Sequence, residues 1–264
     1  TLPHPNILGG FQLFSLFVIF RAYLKNIKVF SSKIFLLIAF GFLPGLFLSF
    51  SRTAILGFSL MLIGIVFLFK NRNGSVFRAF SPILLAILPL VFVFLSLRGF
   101  ADGAVWKSES VILRTELLKA NGERFLSQPL IGRGWGTGPE ELPAFSDFPF
   151  YFFEQQPVHN IFILILADLG LIGGVLFFIV ILTSSIQSFK REKLTFLITL
   201  IFLGVGLLDH YLLTLPIGNF IFFQLIFGFL GAEEPKRKKV ERWAKTRKFY
   251  RLFEKSERPC LTPK

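Results

Sequence analysis

Cysteine, histidine and acidic residues are scarce in this sequence. The chain has one cysteine and three histidines, and Asp and Glu together account for 16 of its 264 residues. With Cys260 alone, neither an intrachain disulfide nor a thiolate metal site can form. The sequence begins with Thr, and neither a charged segment nor a small-residue cleavage site marks a signal peptide before the first apolar run. We therefore expect an upstream part of the protein to precede this chain.

Apolar residues dominate the composition. The chain is 53% hydrophobic, contains 37 Phe and has a mean hydropathy of +0.65, and its apolar runs reach the length that a bilayer requires. The net charge of +13 would suggest a nucleic-acid partner for a soluble protein, but Lys and Arg mark the cytoplasmic loops of a membrane protein. The composition predicts a protein embedded in the lipid bilayer, without a nucleic-acid partner.

Charge divides the chain into membrane segments, an external loop and a tail. Residues 98–157 contain 8 acidic and 6 basic residues, whereas residues 232–264 contain 5 acidic and 12 basic residues. The positive-inside rule makes the tail cytoplasmic and the loop external. We predict an all-α polytopic membrane protein with about seven transmembrane helices. Four lie in residues 1–97 and three in residues 158–231, and the external catalytic loop between them contains short amphipathic helices.

Arg52 and Arg114 are candidates for binding an anion at the outer face. Residues 34–69 are long enough for two crossings and contain Arg52 as their single charge, which predicts a helical hairpin that turns outward at Arg52. Two guanidiniums near one face can hold a pyrophosphate. Alternatively, Arg52 extends to the lipid headgroups, as arginines at helix ends commonly do.

The external loop contains a second helical pattern. It covers residues 109–121, and Asn121-Gly122 would end the helix. Arg114 then lies on one stripe with Val111, Leu117 and Leu118, and a cation centred on an apolar face requires an anion.

His159 is the main catalytic candidate. It follows Pro157 at the predicted start of a transmembrane helix, where an imidazole can act as a general base toward a substrate at the outer face. The alternative is an interfacial histidine that caps or packs the helix end. His4 and His210 also fall at outer helix ends, and Asp209-His210 is a second acid/base candidate.

Two glycine-rich segments are assigned structural roles. Residues 132–138 lack the strand and helix of a phosphate-binding loop, so we predict a tight external turn. Asp168 follows His159 by about 13 Å at 1.5 Å per residue, and an acid at that depth should face the bundle interior. Close helix packing at Gly170, Gly173 and Gly174 is the predicted role of this segment.

Two further segments allow two interpretations each. The aromatic residues within 147–153 form either a belt at the headgroup level or a surface for sugar rings or a lipid chain. The tail is either a basic helix on anionic lipid or a disordered anchor.

Five motifs occur in a characteristic order. They are His4-Pro5-Asn6; Ser49-Phe50-Ser51-Arg52-Thr53-Ala54; Arg114 followed by Pro129-Leu130-Ile131-Gly132-Arg133-Gly134; His159-Asn160; and Asp168-Leu169-Gly170-Leu171-Ile172-Gly173. In this order, residues 4–231 resemble the O-antigen ligase and O-antigen polymerase superfamily. That family has around a dozen crossings, so the resemblance implies that this chain is a C-terminal portion.

The resemblance implies a glycosyltransferase of the bacterial cytoplasmic membrane whose active site faces outward. Its donor would be an undecaprenyl-pyrophosphate-linked oligosaccharide, and its acceptor a glycan, lipid or protein. His159 matches the proposed base, and Arg52 and Arg114 match arginines proposed to hold the pyrophosphate. No cofactor and no metal are implied, and no acidic metal-binding pair lies beside His159 in the sequence. Possible supporting residues are Asn160, Arg133, His210, Asp209 and His4.

Two other classes of protein compete with a glycosyltransferase. A lipid-linked sugar flippase or transporter would use the arginines to line a path without chemistry, but such proteins tend to show inverted repeats and helices interrupted near the midplane. A membrane scaffold would leave His159 and Arg114 without a reason to lie near one interface. The clustering of polar residues at one face favours the enzyme, and the sequence leaves ligase, polymerase and protein oligosaccharyltransferase open.

Overall fold

The computed structural model describes residues 5–24, 32–69, 109–151 and 155–228, and within them the all-helical prediction is confirmed. In chain order, the helices are α1 Pro5–Leu24, α2 Ser32–Leu48, α3 Arg52–Phe69, α4 Glu109–Ser127, α5 Gly138–Glu141, α6 Ile161–Arg191, α7 Lys193–Gly206, α8 Tyr211–Thr214 and α9 Pro216–Phe223. A 3-10 turn at Leu142–Ala144 follows α5, and a π-helical turn at Gln224–Gly228 continues α9. His4, the fourth predicted crossing and the basic tail lie outside the described residues.

Two of these helices are long and apolar enough to cross a membrane. They are α1 and α6, and α2, α3, α7 and α9 are shorter apolar helices. One face of α6 exposes a run of large apolar side chains, including Val175, Leu176, Ile179 and Leu182. An apolar surface of this extent fits lipid rather than water. The count of seven crossings stays a prediction.

Helix α1 lies at the centre of the apolar core. Its residues are apolar on all sides, as in a helix surrounded by other helices, and Leu13, Phe17 and Phe20 are completely buried. A Cβ added at Gly9 would lie less than 3 Å from side-chain atoms of Ser51 and Ala54. Glycine at this position therefore lets α1 approach the start of α3 closely.

The helical hairpin predicted in residues 34–69 is confirmed. Helices α2 and α3 are joined by a short turn in which Phe50 has a positive φ of 50°. The hydroxyl of Ser51 accepts a hydrogen bond from the backbone N–H of Ala54 at 3.3 Å, as a helix cap does. Arg52 is the first residue of α3, so the sequence located the turn correctly.

Contacts at the two ends of α1 agree with the predicted alternation of faces. At its end, Arg21 forms a salt bridge of 2.8 Å with Glu192, between α6 and α7. At its start, Asn6 donates a hydrogen bond to Asp209, which follows α7. The Arg21–Glu192 contact and the Asn6–Asp209 contact therefore lie at opposite ends of the bundle.

Helix α6 is broken at Gly170, and the external loop fills the break. Gly170 has φ 63° and ψ −167°, so the helical ladder is interrupted and backbone groups on both sides need other partners. The loop satisfies four of them through the bonds Arg133 N to Ala167 O, 3.1 Å; Gly134 N to Asp168 O, 2.9 Å; Leu171 N to Pro129 O, 2.8 Å; and Ile172 N to Leu130 O, 3.1 Å.

This docking corrects the packing role predicted for the glycines of α6. A Cβ at Gly170 would lie 2.5 Å from backbone atoms of Leu130 and Gly132, so the close approach is to the external loop rather than to another helix. The nearest atoms to a Cβ at Gly173 belong to Leu169 of α6 itself. The prediction of a tight turn is confirmed, with positive φ at Gly132, Gly134 and Gly136, and its external location stays a prediction.

Candidate functional site

His159 lies just before α6, at the end of the bundle where α1 begins and α7 ends. The helix begins at Ile161, and the side chain of Asn160 accepts hydrogen bonds from the N–H groups of Phe162 and Ile163 at 3.0 and 3.1 Å. Asn160 is therefore the N-cap, and the prediction that the helix starts at Pro157 is wrong. The cap fixes the direction in which the chain carrying His159 enters the helix.

Asp209 is the immediate partner of His159. Nδ1 of His159 lies 3.6 Å from Oδ1 of Asp209, and their side chains are only 10% and 3% exposed. Oδ1 also accepts hydrogen bonds from the backbone N–H groups of His210 at 2.8 Å and Tyr211 at 3.4 Å. The amide of Asn6 donates to Oδ2. The carboxylate is therefore held by donors on both oxygens and presents Oδ1 to the imidazole.

The surroundings of Asp209 keep its carboxylate ionised. Burial acts to raise the pKa of Asp209, but His159, His210 and the amide of Asn6 together hold this pKa well below its ordinary value. A carboxylate that stays charged beside an imidazole can orient the ring and stabilise the imidazolium that forms when the ring takes up a proton.

His210 belongs to the same cluster rather than to a second site. Its ring centroid lies 4.9 Å from that of His159, and its Nδ1 is 2.6 Å from Oγ1 of Thr214. Asp209-His210 was predicted as a separate acid/base candidate, and the structure instead joins it to His159. His159 and His210 thus lie at one face, as predicted, while the third histidine of that prediction, His4, is outside the described residues.

The cluster also has the composition of a metal site. His159, Asp209 and His210 each offer one ligand atom, and these atoms lie within 4.8 Å of one another. The sequence showed no acidic residue next to His159, but folding brings Asp209 there. An imidazole–carboxylate–imidazole set could hold a divalent cation.

Arg114 and Arg52 contribute positive charge to this region. Arg114 is partly buried, and burial lowers the pKa of its guanidinium; the charge of Asp209 opposes this effect and that of Arg52 adds to it. No carboxylate of the described residues lies within ion-pair distance of Arg114. A partly desolvated cation beside a second cation provides favourable surroundings for an anion. The structure therefore brings both predicted arginines within electrostatic range of each other, and Arg114 within range of Asp209.

The helix that carries Arg114 differs from its prediction. It runs on to Ser127, so Asn121-Gly122 does not end it. Leu117 is buried but Leu118 is 45% exposed, so the apolar stripe is narrower than predicted. Asn121 lies within the helix, and its side chain donates to the carbonyl oxygen of Leu117, four residues earlier, at 2.8 Å.

A second polar cluster, centred on Arg124, lies between α4, the loop and α6. Arg124 is completely buried and contacts Asp168 at 3.2 Å. Its guanidinium also donates to three further side chains, at 2.8 Å to Asn121, 2.9 Å to Thr137 and 3.1 Å to Glu141. Asp168 accepts a hydrogen bond of 2.9 Å from the N–H of Gly136. Asp168 therefore binds the external loop, and the prediction that it faces the bundle interior is wrong.

Arg133 is part of the same loop structure. Its guanidinium donates to both oxygens of Glu141, at 2.9 and 3.1 Å, and lies 4.9 Å from the ring centroid of Phe145. The hydrogen bond from Arg133 lowers the pKa of Glu141, and Arg124 adds to the effect against the opposing influence of burial. Arg133 was considered a supporting site residue, and its contacts give it a role in loop structure.

The sequence interpretation missed Arg124 and Asn6. Asn121 follows Leu117 by four residues, and Arg124 follows Asn121 by three. That spacing places all three on one face of a helix, a signal that was hidden by ending the helix at Asn121. Asn6 had no such signal because its partner, Asp209, lies 203 residues away.

The fold and the site define a class: an all-helical membrane protein with a histidine–carboxylate cluster and nearby arginines at one end of its helices. The family described as O-antigen ligase matches residues 34–178, more than half of the chain, and the chain belongs to this family. It is thus a membrane enzyme of bacterial polysaccharide biosynthesis. No curated protein and no solved structure gave a significant match.

Proposed function

We propose that this chain carries the outward-facing active site of a metal-independent glycosyltransferase. The enzyme transfers or polymerises an undecaprenyl-pyrophosphate-linked oligosaccharide onto an acceptor hydroxyl at the outer face of the cytoplasmic membrane. The observation that carries the proposal is the His159–Asp209 pair within the electrostatic range of Arg114. This arrangement combines a base with an anion site, which are the two requirements of transfer from a pyrophosphate.

His159 acts as the general base. Because Nδ1 faces Asp209, Nε2 is the nitrogen that receives the proton of the acceptor hydroxyl. The acceptor oxygen attacks the anomeric carbon and forms the new glycosidic bond while the bond from that carbon to the pyrophosphate oxygen breaks. The attack comes from the face opposite the leaving group and inverts the anomeric carbon. Asp209 stabilises the resulting imidazolium.

Arg114 and Arg52 bind the pyrophosphate. The leaving group departs with the electron pair of the broken bond, and its negative charge is neutralised by the guanidiniums, which bind phosphate oxygens in a bidentate manner. Burial and the charge of Arg52 both act against the charged form of Arg114, so an arriving pyrophosphate relieves an unfavourable interaction. Pyrophosphate leaves readily, which limits the chemistry that the protein must supply.

The experiment is transfer in vitro from a lipid-pyrophosphate-linked oligosaccharide by the natural full-length protein, with a chelator present. We expect wild-type transfer to survive the chelator. His159→Ala should lower the rate by about 10²- to 10⁴-fold, the usual contribution of a general base. Leu207→Ala is the matched control, because this exposed side chain lies in the same turn as Asp209.

Transfer that persists in His159→Ala would exclude the base. Loss of wild-type transfer on chelation, restored by a divalent cation, would instead assign the three-residue cluster to metal binding. A wild type that moves the lipid between leaflets without forming any product would replace the enzyme with a transporter.

A further inference from the structure

We propose that Asn6 is a positioning residue of this site. It holds the carboxylate of Asp209 in the orientation that presents Oδ1 to His159. This inference rests on the proposed function, since it assigns Asn6 a part in the same proton transfer. Asn6 acts through Asp209, to which its amide donates.

The hydrogen bonds of Asp209 support this role. Asn6 donates from Nδ2 to Oδ2, while the backbone N–H groups of His210 and Tyr211 donate to Oδ1. His159 approaches the same Oδ1. Rotation of the carboxylate about its Cβ–Cγ bond would move both oxygens away from these donors. The amide of Asn6 adds a donor on the second oxygen and so makes that rotation more costly.

The position of Asn6 is itself enforced by packing. Gly10 follows it by four residues, so the two lie on the same face of α1. A Cβ at Gly10 would lie 2.1 Å from the hydroxyl oxygen of Tyr211. Glycine at this position therefore allows the first turn of α1 to lie directly against the segment that carries Asp209. Asn6 then meets the carboxylate at a fixed distance.

A neutral amide suits the charges that face Asp209. His159 and His210 act on the charge of Asp209, and Arg114 of α4 adds a further cation within range. Tyr211, two residues after Asp209, donates its backbone N–H to the same carboxylate. An asparagine adds a hydrogen-bond donor without changing the net charge around Asp209. A second carboxylate in its place would put two like charges in contact, and one of them would bind a proton.

The experiment compares Asn6→Ala and Asn6→Asp with wild type, using kcat and KM for transfer between pH 5.5 and 8 in the natural full-length protein. We expect Asn6→Ala to lower kcat on the order of 10- to 100-fold, the effect of a displaced reacting group, with KM within about twofold. Asn6→Asp should be equally impaired at pH 8. It should regain activity relative to Asn6→Ala as the pH falls, because the introduced carboxyl then carries a proton and can donate to Asp209.

Gln12→Ala is the control on the same helix, since the side chain of Gln12 lies against Gly45 of α2 and away from the cluster. A kcat for Asn6→Ala equal to that of wild type would overturn the inference. It would also be overturned if kcat of Asn6→Asp were as low as that of Asn6→Ala at every pH. If His159→Ala is inactive while Asn6→Ala is fully active, the positioning role fails and the proposed function stands. A wild type without transfer would overturn both.

Discussion

The buried ion pair between Arg124 and Asp168 gives the most direct test of how the loop is held on α6. The two side chains are 0% and 1% exposed. Removing one partner of a buried pair leaves the other charge uncompensated, which typically costs about 3 to 5 kcal/mol. In Asp168→Ala, Arg124 keeps Glu141 as a partner, so the lower end of this range applies.

A second contribution comes from the backbone of the loop. Asp168→Ala also removes the acceptor of the Gly136 N–H, and an unsatisfied donor costs about 1 kcal/mol or more. The expected loss in the free energy of unfolding is therefore about 4 kcal/mol. For a chain of this size each kcal/mol lowers Tm by roughly 2 to 4 °C, so Tm should fall on the order of 10 °C.

The assay is thermal unfolding of the detergent-solubilised protein, followed by intrinsic fluorescence. Glu116→Ala is the matched control, because Glu116 pairs with Lys119 on the same helix at 2.7 Å while the lysine is 66% exposed. Exposed pairs contribute about 0 to 1 kcal/mol, so this variant should unfold within about 4 °C of wild type. A loss for Asp168→Ala as small as that of Glu116→Ala would refute the reasoning.

Three further variants test the helix break and the site. Gly170→Ala, at φ 63° and with loop backbone 2.5 Å from the new Cβ, should cost about 2 kcal/mol or more in unfolding, whereas Gly204→Ala, with nothing within 4 Å, should not destabilise. Arg114→Lys should raise KM for the lipid-pyrophosphate donor on the order of tenfold in steady-state transfer, because bidentate binding is lost; an unchanged KM would remove Arg114 from the anion site. The folded-state pKa of Asp209 is depressed, so its charge stabilises the fold above about pH 4 and this contribution is lost as the pH falls further. The stability difference between wild type and Asp209→Asn should thus be present above about pH 4 and shrink below it in denaturant titrations.

The sequence predicted the features that follow from local pattern and from membrane sidedness. The hairpin at Arg52 followed from the length of an apolar run with one charge, and the structure confirms it. The shared face of His159 and His210 followed from counting crossings, and their rings are indeed adjacent. Both inferences needed only the spacing of apolar and basic residues.

The contacts that define the site required tertiary information. Asp209 and His159 are separated by two helices, α6 and α7, and the first is broken at Gly170, so no regular helix length predicts their register. The role of Asp168 was wrong for the same reason, because an unbroken helix was assumed. A glycine in an apolar run shows that a break is permitted, but the loop that fills it comes from residues 129–134.

The two polar clusters are linked by the geometry of α4 and α6. Arg114 and Arg124 are ten residues apart on α4, about 15 Å at 1.5 Å per residue, and His159 and Asp168 are nine residues apart, about 13 Å. Arg124 contacts Asp168. The charge of Asp209, whose carboxylate faces His159, acts on Arg114. The contact at Arg124 and the charge interaction at Arg114 indicate that α4 runs alongside the start of α6 in the same direction. Fixing the Arg124 end therefore sets where Arg114 stands relative to the candidate base. Because the Arg124–Asp168 pair joins α4 to α6 beside the break that the loop fills, the same ion pair supports both the shape of α6 and the position of Arg114. A weakened pair should then lower affinity for an anionic donor at temperatures well below the unfolding transition.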